Sequence, residues 1–418
     1  MNHPAQAIKG CGEFVTFVDE LAMKLVDHSP TFESFVAALP GVLPDEALSA
    51  LRRIAGPNAE RLAADAATDR AGDFIDQCAM LPLPHPLDSE FRFDEATARI
   101  LARALVEATR AGDEILLIGV PSVAIELAAM DVDRQVRFLG PDNSVSDAVR
   151  TAFNGERLVL EQGPGRTAAA ALLDAPWYVD PMVQLIEVCA HGCRDRALVT
   201  LTFPKLGTRP EIFADRAAFL AAAASAGLLP TGSSDLVYYR TPLFELTALE
   251  RQGIARLPSW RRGETVEFVA TAEVASRRWV RPRVSELTAA GTRLRLLSWT
   301  NSGASGLEPI HDYEVFPSVS SRAPGRSRAT LWTTTNRAFA VDPSLACRAL
   351  SEMANQHNGN VLHLRFFESQ NDLSCPSHVA PVEGLIHQLT ELVGRELHDA
   401  RRLVGDGAWL KTGMDWRY

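Results

Sequence analysis

The segment Asp174-Ala175-Pro176-Trp177-Tyr178 sets a carboxylate, a rigid turn and two aromatic rings side by side in the chain. Chemistry on an amine nitrogen calls for such a set. A carboxylate oxygen accepts the N–H and aims the nitrogen lone pair at an electrophile. Aromatic faces stabilise the positive centre that accompanies alkyl transfer. Asp174, Trp177 and Tyr178 are therefore the candidate catalytic residues. The competing reading makes both aromatics core residues and gives Asp174 a helix cap. Three other places could carry chemistry with them. Gly119-Val120-Pro121-Ser122 follows an apolar run, where a cofactor-binding loop stands in α/β proteins. It holds one glycine where such loops usually hold several, and Pro121 lacks an amide donor. Asp142, in Phe138-Leu139-Gly140-Pro141-Asp142-Asn143-Ser144, is placed to accept hydrogen bonds from a ribose, although Pro-Asp-Asn is also ordinary turn chemistry. Gly119, Ser122 and Asp142 are the candidate cofactor-binding residues. Thr202-Phe203-Pro204-Lys205 is a candidate pocket lining. Cys189, His191 and Cys193 suggest a metal, but at helical spacing His191 faces away from the two cysteines and no second ligand pair follows, so no metal is expected.

The elements that must position these residues alternate. Residues 114–120, 135–140, 157–162, 170–178 and 197–204 read as strands. Residues 94–111, 122–130, 144–153, 180–193 and 215–227 read as helices, with Asp180 expected as an N-cap ahead of Pro181. Such alternation predicts a mostly parallel sheet covered on both faces, with ligands outside the carboxyl ends of its strands. Residues 236–241 and 243–252 are expected to close the sheet as an antiparallel pair. Residues 12–80 read as short helices, either a winged-helix-like module or a plain helical cap. Pro82, Pro84 and Pro86 mark a linker, and 257–264 marks a second boundary. Beyond it, strand-like segments rich in β-branched and aromatic residues precede two long helices, an α+β pattern. The expected domains are 1–80, 90–256 and 264–418.

The 418 residues exceed one compact core, and 46% hydrophobic with 22% charged residues is ordinary for a globular chain. The formal net charge of -10 disfavours nucleic acid as a partner, although Arg277, Arg278, Arg281 and Arg283 form a local basic cluster. No apolar stretch is long enough to span a membrane. The six cysteines are sparse and no signal peptide precedes them, so free thiols in a reducing cytoplasm are expected. The heavy use of Ala, Arg and Leu associates with a bacterial source.

Residues Asp88–Ala128 resemble the entry into the catalytic domain of the branched-chain polyamine synthases, the N4-bis(aminopropyl)spermidine synthase family. Asp174–Tyr178 is similar to the Asp-Pro-Pro-Tyr/Trp motif that this family shares with amino-group methyltransferases. The likeness spans roughly residues 30–250. It implies a doubly wound, Rossmann-like sheet of the class I methyltransferase type, with an N-terminal helical domain and a C-terminal α+β domain. It further implies S-adenosylmethionine, or its decarboxylated form, as the alkyl donor and a small-molecule amine as acceptor. The sequence departs from the family in the loop after the first strand. Val120, Pro121 and Ser122 stand where the family has three aspartates implicated in holding the polyamine, and Ala175 replaces the first proline of the second motif. The expectation is an amine alkyl transferase resembling the aminopropyltransferases. Two alternatives stand beside it: a catalytically inactive scaffold that binds a protein partner, and a nucleic-acid amino-methyltransferase. Homo-oligomerisation is compatible with any of the three.

Overall fold

In the computed structural model, the described residues are 11–54, 56–68, 81–88, 90–140, 143–154, 157–160, 166–257, 259–271, 284–289, 292–297, 306–310, 315–318, 323, 325–356, 362–366 and 382–404. Arg277, Arg278, Arg281 and Arg283 lie outside them. The chain forms two compact units. The first comprises Met1–Arg70, Phe91–Thr241 and Gly253–Trp279; the second comprises Ala71–Glu90, Pro242–Gln252 and Val280–Tyr418.

The first unit opens with helices α1 (Cys11–Leu25), α2 (Phe32–Ala38), α3 (Pro44–Arg53) and α4 (Pro57–Asp65). Turn chemistry separates them: Thr31 and Ser34 form a capping box at α2, and Pro44 and Pro57 open α3 and α4. The remainder follows as α5 (Glu95–Glu107), β1 (Glu114–Ile118), α6 (Pro121–Ala129), β2 (Gln135–Leu139), α7 (Asn143–Ala152), β3 (Leu158–Val159), β4 (Ala168–Leu173), α8 (Val179–Gly192), β5 (Cys193–Pro204), α9 (Ile212–Ser225), β6 (Leu228–Tyr238) and β7 (Arg262–Ala270).

These strands form a seven-stranded sheet in the order β3-β2-β1-β4-β5-β7-β6. β1 to β5 pair in parallel, and β7 inserts antiparallel between β5 and β6. This order, with the strand direction reversing only at β7, is the doubly wound class I methyltransferase-type sheet. The central strands follow from their side chains. Ile115–Ile118 of β1 and all six residues of β4 are buried, so each strand is apolar on both faces, as a covered parallel sheet requires. Helix α8 packs against β4 and β1, and α9 against β5 and β6. Asp94 caps α5 by accepting a 2.8 Å hydrogen bond from the Thr97 amide.

The structure departs from the sequence expectation in four places. The antiparallel partner of β6 is β7, which the sequence pattern assigned to the C-terminal domain. Residues 243–252, expected to be a strand, form a helix, α10 (Leu243–Arg251), and belong to the second unit. Leu243, Phe244, Leu246, Ala248 and Leu249 are all buried there, and such an apolar run fits either a strand or a helix by periodicity alone. Helix α8 starts at Val179 after an N-cap at Tyr178 that makes no side-chain bond, so Asp180 lies inside the first turn and is not the cap. The proline segment read as a linker is bound into the second unit: the Leu83 and Pro86 carbonyls accept hydrogen bonds from Arg293 and Arg326.

The second unit contains α10, β8 (Val284–Ala289), β9 (Thr292–Leu297), β10 (Glu308–Pro309), β11 (Leu331–Thr333), β12 (Ala338–Ala340), α11 (Pro343–Gln356), β13 (Leu362–Phe366) and α12 (Glu383–Val404). Its sheet runs β10-β12-β11-β9-β8-β13, antiparallel at each pairing, as the α+β pattern implied. Leu294, Leu296, Leu331, Leu350, Leu389 and Leu392 join strands to α11 and α12 in one core. Charges are also buried here. Fully buried Arg293 pairs with Glu90 at 2.9 Å, and Arg295 pairs with Glu286 at 2.6 Å.

Candidate active site

Five strand ends of the first unit meet at one end of its sheet. Ile118 pairs with Leu173 and Leu173 with Leu201, so the loops after β1, β4 and β5 leave together. β7 runs the other way, with Pro204 opposite Gly263 and Tyr238 opposite Arg262. Its first residues, and the last of β6, therefore reach the same end.

Asp174 stands at the centre of this end. Its amide donates to the Ile118 carbonyl at 3.0 Å, which ties the β4 exit to β1. Gly119, one residue beyond, has φ +71, and a Cβ there would lie 2.2 Å from the Asp174 carbonyl oxygen. Glycine is thus required by both the backbone conformation and the approach of the two strands. Oδ1 of Asp174 accepts from the Thr202 hydroxyl at the end of β5 and from the Tyr239 hydroxyl at 3.0 Å. Burial pushes the carboxyl up from the ordinary 3.8 to about 7, against the two hydrogen bonds and the nearby charge of Arg261, which pull it down. The Tyr239 phenol is also raised, by burial first and then by the Asp174 charge.

An aromatic pair, Tyr239 and Trp177, adjoins the carboxyl through the Tyr239 hydroxyl. Trp177 is buried and meets Tyr239 edge-on, ring centroids 5.4 Å apart at 88°. Among the described residues its Nε1 has no hydrogen-bond partner. Tyr178 lies under the Arg209 guanidinium, 5.3 Å from ring centroid to carbon. Arg209 also donates to the Trp177 carbonyl and pairs with Asp215 at 2.6 Å, so the turn after β4 is fixed from α9.

The residues singled out from the sequence are in part brought together. Asp174 and Trp177 share the Tyr239 hydroxyl and ring, Gly119 abuts Asp174, and Thr202 bonds to it. Ser122 is buried in the first turn of α6, and among the described residues its Oγ has no hydrogen-bond partner. Pro121 occupies the first helical position, where its missing amide costs nothing. Asp142 lies outside the described residues. Cys193 is the first residue of β5 and not part of the preceding helix, so it does not share a helical face with Cys189. The neighbouring Cys193 thiol, and then burial, raise Cys189 well above its ordinary value. Among the described residues no group of metal-binding side chains forms. Tyr239 and Arg261 were not singled out. They come from the β6 and β7 ends, and neither Tyr238-Tyr239-Arg240 nor Ser259-Trp260-Arg261 carries a distinguishing pattern.

No protein-family model matches the chain, and no curated protein matches it. Solved structures do. The branched-chain polyamine synthase of Thermus thermophilus, in complex with N4-aminopropylspermidine and 5'-methylthioadenosine, is 13% identical with a TM-score of 0.46, covering 62% of this chain and 88% of that one. Its C9 mutein gives 12%, a TM-score of 0.47, and 63% and 89%. A TehB-like SAM-dependent methyltransferase from Corynebacterium glutamicum is 13% identical with a TM-score of 0.29, covering 42% and 88%.

Proposed function

We propose that the first unit transfers an alkyl group from an S-adenosylmethionine-type donor, intact or decarboxylated, to an amine nitrogen. The observation that carries this reading is the Asp174 carboxyl, held at one oxygen by Thr202 and Tyr239 at the carboxyl end of β4.

Two features of the chain fit such a donor. The first turn of α6, next to the Gly119 turn, leaves the Ser122 and Val123 amides without an intrahelical acceptor, which favours polar or anionic ligand groups. The buried, unpartnered Ser122 Oγ adds a hydrogen-bonding group in the same turn. Ser122 and Gly119 would hold the donor, with Asp142 a further candidate. The donor supplies a carbon bound to a sulfonium: the new N–C bond forms as the C–S bond breaks, its electron pair leaving on sulfur.

The chain's own groups then have defined tasks. With Oδ1 already accepting two hydrogen bonds, Oδ2 is the oxygen left to accept the N–H of the acceptor. It aims the nitrogen lone pair and takes the proton as the bond forms. A carboxyl at about 7 is matched to that proton at neutral pH far better than one at 3.8. Trp177 and Tyr239 offer aromatic faces to a cationic centre and keep water from it. Tyr178, stacked with Arg209, braces the turn. The test is transfer of labelled methyl or aminopropyl groups to a panel of amines by wild type and Asp174→Asn. The variant is expected to lose about 100-fold or more in turnover while still binding donor. Full turnover by the variant refutes the role.

A second reading, an inactive transferase-like scaffold for a protein partner, is favoured by one observation. Val120 and Pro121 are buried where the loop after β1 would otherwise offer polar groups to a ligand. Absence of any donor binding would support it.

A further inference from the structure

The helices that open the chain meet the sheet at the end that carries Asp174. The contact is made by the turn between α2 and α3. The Pro40 carbonyl there accepts a 2.8 Å hydrogen bond from the Gly207 amide, in the loop that follows β5. Two glycines face each other across it. A Cβ on Gly207 would lie 2.7 Å from the Pro40 carbonyl oxygen and 2.8 Å from Cγ2 of Val42. A Cβ on Gly41, whose φ is +85, would lie 2.9 Å from both Cβ of Lys205 and Oγ1 of Thr208. Each turn lacks a side chain where the other approaches, so the two backbones meet more closely than larger residues allow. Leu39, Val42, Gly207 and Thr208 are all buried in this contact.

The loop gripped in this way also grips the turn after β4. At its start Thr202 donates to Asp174. At its far end Arg209 donates to the Trp177 carbonyl, pairs with Asp215 at 2.6 Å and lies over the Tyr178 ring. Between these anchors the Thr208 amide and hydroxyl both return to the Lys205 carbonyl, at 3.1 and 2.7 Å, which closes residues 205–208 into one tight turn. Nζ of Lys205 donates to Glu264 of β7 at 2.7 Å. A turn closed by its own bonds moves as a body. A displacement at Gly207 therefore reaches Arg209, two residues on, and with it Trp177 and Tyr178.

We infer that Gly207, seated against Pro40 and Val42, is a positioning residue of the site: the α2–α3 turn sets the place of the loop after β5 and, through Arg209, that of the Trp177–Tyr178 turn. The kinetic consequence rests on the transferase reading; the placement of Trp177 does not. The opening helices then serve the site itself, holding from outside the sheet the aromatic wall beside Asp174.

The experiment is fluorine NMR of the full chain labelled with 5-fluorotryptophan, the Trp177 resonance being assigned by its loss in Trp177→Phe. Gly207 is not among the glycines with positive φ, so Gly207→Ala adds a close contact without backbone strain. The two turns must part by roughly 0.5–1 Å to restore ordinary contact distances, and the Trp177 resonance should move. Adding Val42→Ala, which removes one of the two close contacts, should bring it part of the way back. Arg209→Lys keeps the charge but loses the planar fork, and should move the same resonance. Gly112→Ala is the control: its φ is +78 and nothing lies within 4 Å of an added Cβ, so it strains the backbone without touching a neighbour and should leave Trp177 unmoved. With a donor and an accepted amine, Gly207→Ala should lose about tenfold or more in turnover with donor affinity unchanged. The proposal is overturned if the Trp177 resonance stays in place in Gly207→Ala or in Arg209→Lys, or if Gly112→Ala moves it as far, which would show a general loosening. If Gly207→Ala does not fold, Val42→Ala alone carries the test. It withdraws the methyl nearest Gly207 and should move the Trp177 resonance; an unmoved resonance again overturns the proposal. Failure of the transferase reading has a different signature: no S-adenosyl ligand binds, while the fluorine spectra still report on the placement of Trp177.

Discussion

Replacing Asp174 by asparagine should stabilise the first unit at neutral and alkaline pH and leave it unchanged in acid. The carboxyl rises from 3.8 to about 7 on folding because burial strips water from the charged form. The native state thus binds this proton more tightly than the unfolded chain does. The contribution of this group to stability is fully present below about pH 4, falls as pH rises through the interval to about 7, and then levels off. A displacement of that size corresponds to about 4 kcal/mol, of which about 2 kcal/mol is lost between about pH 5 and pH 7. Asparagine mimics the protonated carboxyl. Its Oδ1 can still accept from Thr202 and Tyr239, and it carries no charge to desolvate. The assay is native-state hydrogen exchange at the β4 and β5 amides, which reads the first unit without interference from the second. Wild type should lose protection as pH rises from about 5 to 8, and Asp174→Asn should not, after correction for intrinsic exchange. Equal pH slopes in the two proteins would refute the assignment of a buried, proton-holding carboxyl.

Two further outcomes follow from named contacts. Tyr239→Phe removes the 3.0 Å hydrogen bond that helps hold the Asp174 pKa down, so the Asp174 carboxyl-carbon NMR titration should move to a midpoint above that of wild type, with about 1 kcal/mol lost in stability; an unchanged or lower midpoint contradicts the contact. Arg293→Met in the second unit removes the 2.9 Å buried ion pair to Glu90, while Glu286 keeps Arg295, and should cost about 3–5 kcal/mol, read as lost exchange protection in β9 and β11. A loss below about 1 kcal/mol would show that the network is not electrostatically committed.

The sequence carried the parallel half of the first unit because each of its strands is a short apolar run closed by turn residues. Ile115–Ile118 and Ala170–Leu173 are apolar runs of strand length alternating with helical segments, and the ligand-bearing end then follows from the direction of the chain. That reasoning reached Asp174, Trp177, Gly119 and Thr202. It did not reach Tyr239 or Arg261, for a topological reason. The chain leaves the first unit at Pro242, forms α10 in the second, and returns at Gly253 to insert β7 between β5 and β6. Local patterning records each segment's period but not that excursion, so Arg262–Ala270 looked like the start of the C-terminal domain. The pairing of Tyr239 with Asp174 spans 65 residues and exists only once β6 and β7 are in register. Likewise, nothing in the proline run 82–86 announces that its carbonyls receive buried arginines, Arg293 from β9 and Arg326 from a short 3-10 turn, 210 and 240 residues further along.

The central claim is that the carboxyl ends of β1 and β4 form a working donor site. It is tested most directly by calorimetric titration of the purified chain with S-adenosylmethionine, decarboxylated S-adenosylmethionine and methylthioadenosine. The account predicts saturable binding of at least one of them at roughly micromolar concentration, weakened when Ser122 is replaced by valine. No binding of any of the three to the folded protein would contradict it and leave the inactive scaffold as the reading of this site.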